Sequence, residues 1–190
     1  MRLVRLANLL AIFSAGLLAG AFVYGFFTVV PTFYDVPLGV HLTYRSALMR
    51  HNGIYMQTIM GVSILTPLWW AFTMKGPRTS RLLALLASFL GTISFLVTRF
   101  GNVPINQMIK TWSVAAHPPD HERLLHQWLI FNAIRTAAAL ISFICLALAT
   151  TSAREQWRRC CMERASVEGW NFTHGIFKLS TRHSMTSHGG

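Results

Sequence analysis

The sequence predicts an all-α membrane protein: a four-helix transmembrane bundle with a short amphipathic helix between spans 3 and 4. Of the 190 residues, 53% are apolar and only 12% are charged, a balance typical of a small membrane domain. Four apolar segments, at 6–30, 53–74, 82–98 and 129–149, approach the roughly 17 to 25 residues that a spanning helix needs. No segment shows the alternation of apolar and polar residues that predicts a strand.

The first two spans are joined by a stretch that contains proline. The first apolar run continues to Pro31, which is too long for a signal peptide, whose apolar part is about 7 to 15 residues. Two prolines and a glycine predict a short outer loop over 31–39. Beyond it, His41, Tyr44 or Arg45, and Leu48 recur at helical steps, so a helix with a polar stripe is expected to lead into the second span.

The chain between spans 3 and 4 is expected to form its own short helix before it turns back. Pro104 favours a helix start, and INQMIKTW has the pattern of about two amphipathic turns, so the helix is predicted over 104–112. Asn102 is a candidate cap for it. A loop over 113–119 follows, and Asp120 is the candidate cap of the helix that becomes the fourth span.

The basic residues predict the orientation of the bundle. The formal net charge is +11, but the bases lie between the spans instead of forming one stripe, which argues against a nucleic-acid partner. The side predicted to be cytoplasmic carries Arg2, Arg5, Lys75, Arg78, Arg81 and the basic residues of the tail, whereas the other carries Arg45, Arg50, Arg99, Lys110 and Arg123. The positive-inside rule then gives a multi-pass protein in the lipid bilayer with both termini cytoplasmic.

The composition divides the chain near residue 152. Residues 1–152 form the predicted four-helix membrane domain, and 153–190 form a basic, largely disordered cytoplasmic tail. Its first part, 153–166, is expected to be a surface helix. The three cysteines have neither the spacing of a metal site nor that of a disulfide framework, and the oligomeric state stays open.

Side chains suited to chemistry concentrate in residues 99–136, between two apolar runs. The second half of this segment has polar and aromatic residues at steps of seven, four and three, which places them on one helical face. The candidate site residues are Asn102, Asn106 and Trp112 in the first half, and His121, His126, Trp128, Asn132 and Arg135 in the second.

Arg135 is the most informative of these residues because it stands inside an apolar run. A cation there costs several kcal/mol unless it is paired or faces water, so it indicates a functional site. The alternative is a structural role, in which Arg135 bonds to Asn132 and to helix carbonyls and Trp128 anchors the interface. Taken singly, each residue favours the structural role, and only their combination favours function.

The same segment carries a family resemblance. The block GNVPINQMIKTW, followed by PPDHERLLHQWLIFNAIRT and an Ala-rich last span, resembles the anthrone oxygenase-like family of small four-span membrane proteins. The AGLLAG of the first span, at 15–20, is similar too. The resemblance covers nearly all of residues 6–150 and leaves the tail outside. Its motif residues here are Pro104, Ile105, Asn106, Trp112, Trp128 and Arg135.

The resemblance implies a membrane monooxygenase of polyketide biosynthesis that converts an anthrone to the anthraquinone. The substrate is a lipophilic aromatic polyketide, O2 is the co-substrate, and no metal or other cofactor is required, because loss of a proton from the activated CH2 gives an anion that reacts with oxygen. In that reaction the protein holds the ring, removes the proton and stabilises the oxyanion. The implied roles are stacking for Trp112 and Trp128, the base for His121 or His126, and oxyanion contacts for Arg135, Asn106 and Asn132, with Asn102 beside them.

Two other classes of function stay open from the sequence. A non-catalytic carrier or assembly subunit would use Arg135 as a structural or substrate-steering charge. A metal or haem oxidase would draw on the neighbouring His117, His121 and His126, although no paired histidines occur inside the spans. The metal content of the purified protein separates a metal or haem oxidase from an anthrone oxygenase. Turnover of an anthrone separates that oxygenase from a carrier.

Overall fold

The protein is all-helical, as predicted. The computed structural model describes residues 2–112 and 118–184, with side chains except at 51, 52, 157–161 and 163–184. The described chain forms α1 (Arg2–Tyr24), α2 (Val30–Tyr34), α3 (Leu38–Thr73), α4 (Arg78–Leu96), α5 (Val103–Ile109) and α6 (His121–Ser184). Two π-helical turns join α1 to α2 and α4 to α5 without a break, at Gly25–Val29 and Val97–Asn102.

Three helical stretches in the described chain are long and apolar enough to cross a membrane: Arg2–Tyr34, Arg78–Ile109 and His121–Gln156. They contain the predicted spans 1, 3 and 4. The predicted second span, 53–74, lies in α3, which is not among them, because Gln57, Thr58, Pro67 and two tryptophans lower its mean hydropathy. The helical bundle is therefore confirmed, and the count of four spans stays a prediction.

Small side chains let the helices of the bundle approach one another. Lipid tails are as apolar as leucine, so spans associate through close packing and hydrogen bonds more than through hydrophobic burial. The face that α4 buries is made entirely of small residues: Ser80, Ala84, Ala87, Ser88, Gly91 and Ser94. The main core cluster also contains buried alanines of α1, which packs against α3 and α6, at Ala7, Ala11 and Ala15.

Seryl hydroxyls add hydrogen bonds between these helices. Each donates to a backbone carbonyl of a neighbouring helix, so the hydroxyl is satisfied without a polar partner side chain. The bonds run from Ser88 Oγ to Ile64 O at 2.9 Å, from Ser142 Oγ to Ala87 O at 2.8 Å, and from Ser94 Oγ to Arg135 O at 3.0 Å. The bond from Ser94 fixes the position of Arg135 along α4.

The outer connections are more helical than the sequence predicts. A loop was expected over 31–39, but α2 runs through Pro31 and only residues 35–37 separate it from α3. Pro31 is accommodated here because it directly follows the π-helical turn Gly25–Val29, in which the hydrogen bonds already depart from the α-helical pattern. Asn102 caps no helix: its backbone is helical and its side chain makes no capping bond.

The last helix also differs from expectation. A surface helix over 153–166 with disorder beyond was predicted, whereas α6 continues to Ser184. Residues 153–184 contain no proline, the residue that interrupts a helix most strongly. The division into a membrane domain and a tail stays a prediction.

Candidate active site

Arg135 lies on α6 and is held by neutral partners. Its Nε donates to Asn132 Oδ1 at 2.8 Å, one helical turn earlier. With the amide oxygen of Asn102 turned towards it, Nε and Nη1 donate to that oxygen at 3.1 and 3.3 Å. The Arg135 guanidinium carbon stands 4.5 Å from the centroid of the Phe22 ring. These contacts fix the guanidinium and leave Nη2 for a ligand.

Arg45 is a second buried guanidinium, on α3, and only 4% of its surface is exposed. Its Cζ lies 3.9 Å from the centroid of Trp128, a cation–π contact, and 5.8 Å from that of Phe33. Its Nη1 donates to His41 Nε2 at 3.4 Å, so His41 is neutral and carries its proton on Nδ1. Burial, with a smaller effect from Arg135, lowers the Arg45 pKa to about 10, which leaves it charged at neutral pH.

The two arginines line one cavity of about 460 Å3. Aromatic rings, methionines and amides make up much of its wall, and no Asp, Glu or His is among its lining residues. The residues that matter for its chemistry are Phe22, Phe33, Arg45, Met49, Met56, Gln57, Met60, Asn106, Lys110, Trp128, Asn132 and Arg135. Two guanidiniums therefore share a space into which the described part of the chain brings no carboxylate counter-ion.

Three buried polar atoms on the cavity wall have no hydrogen-bond partner among the described residues. They are Nη2 of Arg45, Nε1 of Trp128 and Oδ1 of Asn106. Leaving such a group unsatisfied costs about 1 to 3 kcal/mol, and more for a charged one. All three atoms are enclosed, and all three belong to residues that line the same cavity, so a ligand there reaches them once these side chains shift.

The two π-helical turns shape this cavity, and a proline follows each of them. The N–H of Val30 bonds to the carbonyl of Gly25, and that of Val103 bonds to Thr98, so each turn spans five residues where an α-helix spans four. Pro31 and Pro104 come next and offer no N–H to the carbonyls four residues earlier, which lie within the turns. Gly25, Val29 and Thr98 of these turns line the cavity.

Comparison with known families assigns the chain to one of them. Residues 47–145 match the family model described as Anthrone oxygenase, which covers just over half of the chain. The chain belongs to the anthrone oxygenase family. No curated protein and no solved structure matches it. Within the site of this family member, the matched segment includes Asn106, Trp128 and Arg135, whereas Phe22 and Arg45 precede it.

The structure of this anthrone oxygenase family member brings together part of the site expected from its sequence. Arg135, Asn106, Trp128 and Asn132 line the cavity, and Asn102 is fully buried behind Arg135. Trp112 does not line it and instead lies edge-on to His121, with ring centroids 6.4 Å apart. Arg45 was recognised only as one position of a polar stripe, because nothing local in the sequence shows that it meets Trp128.

The two candidate bases lie in a neighbouring open groove. His121 and His126 line it together with His41 and Glu122, and Phe33 forms part of the wall of both the groove and the cavity. Nδ1 of His121 donates to the carbonyl of Pro118 at 3.1 Å. In the neutral ring that bond leaves Nε2 as the basic nitrogen.

The residues for a metal or haem centre are only partly described. In the described part of the chain, no three His, Cys, Asp or Glu side chains lie together in a way that could hold a metal ion. His117, one of the three histidines considered for such a centre, lies outside the described residues.

Proposed function

We propose that this protein oxidises an anthrone with O2 to the anthraquinone inside the cavity of Arg45 and Arg135. The observation that carries the proposal is a pair of guanidiniums, that of Arg45 buried and that of Arg135 partly buried, in an aromatic cavity that no carboxylate of the described residues lines. A flat aromatic substrate whose reaction builds up negative charge matches both properties. Membership of the anthrone oxygenase family supports the same reaction.

The cavity suits a fused aromatic ring system. Its volume of about 460 Å3 falls within the roughly 300 to 1,000 Å3 of typical ligand sites. Phe22, Phe33 and Trp128 offer ring faces and edges, and three methionines adapt to the outline of the ligand. The proposed substrate is a lipophilic polyketide intermediate of secondary metabolism, and such a molecule can reach the cavity from the bilayer.

The reaction balances without a further reductant. A proton leaves the CH2 between the rings, and its electron pair moves onto the carbonyl oxygen to form an enolate. The same carbon then bonds to O2 and becomes a peroxide. The O–O bond breaks as the second C–H proton is lost, which gives the new carbonyl and one molecule of water. One oxygen atom enters the product, so the substrate itself supplies the electrons of a monooxygenase reaction.

Arg135 and Asn106 stabilise the enolate in this proposal. The positive charge of Arg135 acts in a space of low dielectric constant, where its attraction to an oxyanion is much stronger than in water. Asn106 stabilises the enolate with its amide turned over, so that an N–H in place of Oδ1 donates to the oxyanion. The proton passes towards His121 or His126, which line the adjoining groove on the other side of Phe33.

Substitution of Arg135 tests the proposal in membranes that contain the full chain. Loss of one preorganised oxyanion donor lowers kcat about 100- to 1,000-fold, so Arg135→Met is expected to reduce anthrone oxidation to near the rate of blank membranes. Arg135→Lys keeps the charge without the planar fork and is expected to retain partial activity. Arg99→Met, the same change at an exposed arginine outside the cavity, is the matched control and is expected to stay at the parent rate.

Two outcomes would contradict the mechanism. A folded Arg135→Met protein that oxidises anthrones at the parent rate would leave the cation with a structural role only. A parent protein that binds an anthrone and never turns it over would instead indicate the carrier.

A further inference from the structure

The proposed oxidation needs one cation, and the cavity contains a second, Arg45, that is buried. An enolate carries a single negative charge, which Arg135 meets. Arg45 is the more buried of the two, and its Nη2 has no partner among the described residues. A buried unpaired charge is costly, so a cavity that keeps two guanidiniums and no carboxylate is matched to a ligand with more than one anionic group.

The surroundings of Arg45 form a built site. His41 holds Nη1, Phe33 lies stacked against His41 with ring centroids 4.8 Å apart, and Trp128 packs on the guanidinium face. The remaining terminal nitrogen of Arg45 and the indole N–H of Trp128 belong to groups in direct contact, and both lack an acceptor. Two neighbouring N–H donors match the two oxygens of a carboxylate.

We propose that Arg45 and Trp128 bind a carboxylate carried on the ring system of the substrate. The proposal rests on the proposed function and names the substrate class: an aromatic carboxylic acid, with its reacting carbonyl at Arg135 and its carboxylate at Arg45. A carboxylate offers a separate oxygen to each donor, whereas the two donors would have to share the single oxygen of a second phenolate. Lys110 also lines the cavity, but it is exposed to solvent and its charge is already hydrated.

Binding of two product-like ligands tests this subsite independently of turnover. Anthraquinone-2-carboxylate and its neutral isostere anthraquinone-2-carboxamide differ in charge at one substituent. Equilibrium dialysis at pH 7.5 on the full chain in detergent gives the Kd ratio of the two ligands. The parent protein is expected to bind the carboxylate about 30-fold more tightly or better, because neutralising one partner of a buried charge pair costs at least about 2 kcal/mol.

The variants locate this preference on Arg45. Arg45→Met is expected to lose it and to bind the carboxamide as the parent does, whereas Arg135→Met and Lys110→Met are expected to keep it. Trp128→Phe retains a ring face for Arg45 and removes the indole N–H, so it is expected to lower the preference for the carboxylate several-fold. This variant also tests the subsite if Arg45→Met does not fold.

The outcomes separate this proposal from the proposed function. A preference that survives in Arg45→Met, or that disappears in Lys110→Met, would overturn the subsite. Equal binding of both ligands by the parent would overturn it too and leave the proposed oxidation standing. A parent that binds neither ligand would contradict both.

Discussion

At the scale of single residues, Arg45 and Arg135 show how a bundle keeps buried cations without carboxylates. Two asparagine amides hold Arg135, and an imidazole and an indole face hold Arg45. All four partners are neutral, so the described residues position the guanidiniums without cancelling their charge. Neutral partners of this kind are expected where the charge serves a ligand.

His41 should make the fold sensitive to acid. Burial, and to a lesser degree the charge of Arg45, lowers the pKa of His41 from 6.5 to about 4. Between these values the unfolded chain binds a proton that the folded protein does not, so the stability present above pH 6.5 is lost as the pH falls towards 4. His41→Gln keeps an acceptor for Arg45 and removes the titration. Thermal unfolding between pH 4.5 and 7.5 should depend less on pH in this variant, and an unchanged slope would contradict the role of His41.

The choice between the two candidate bases can be made from activity. Because Nδ1 of His121 donates to Pro118, its Nε2 has a fixed lone pair, which favours His121 as the proton acceptor. His121→Gln is expected to lower kcat about 100-fold or more. His126→Gln, in the same groove, is the matched control and should change kcat far less. The reverse order of effects would assign the base to His126.

At the scale of elements, the π-helical turn before α5 decides which side chains face Arg135. The turn accommodates one extra residue, and one residue corresponds to about 100° of rotation in a regular helix. Without the π-helical turn, the side chains of Asn102 and Asn106 would therefore point in other directions. The turn also packs tightly on α6: a Cβ on Gly101 would stand 2.7 Å from Cγ of Phe131.

Gly101→Ala tests that packing. The Phe131 ring would have to shift, and overpacking of this kind costs about 1 to 3 kcal/mol, so a lower unfolding temperature in detergent is expected, together with weaker activity through Asn102. Gly20→Ala is the control, since nothing lies within 4 Å of the Cβ it would add. Adding Phe131→Leu to Gly101→Ala should recover part of the lost stability. Equal behaviour of the two alanine variants would show that the close approach is unimportant.

At the scale of the whole molecule, the basic residues predict that both termini are cytoplasmic and that the segment from 99 to 128 lies on the other side. A topology reporter fused after Gly190 should show the cytoplasmic phenotype, and the same reporter inserted within 113–117 should show the opposite one. A reporter after Gly190 on the outer side would overturn this orientation. Two reporters on the same side would contradict the predicted number of crossings between them.

The sequence by itself determined that the chain is all-helical, and it located one of the segments that line the candidate site. Hydropathy and helical spacing are local properties, so they located the apolar runs and placed Asn132 and Arg135 on one face of α6. The family resemblance, carried by contiguous residues from Asn106 to Arg135, was equally visible and was confirmed by the family match.

Only the tertiary structure decided which of these residues meet. The rotation of each helix depends on small-residue contacts with its neighbours and on the two π-helical turns, and these are set by the packing of the whole bundle. That packing placed Asn102 behind Arg135 instead of at a helix cap, and put His121 and His126 in a groove beside the cavity. It also brought Arg45, 83 residues before Trp128, onto the indole ring, a contact that no local pattern specifies.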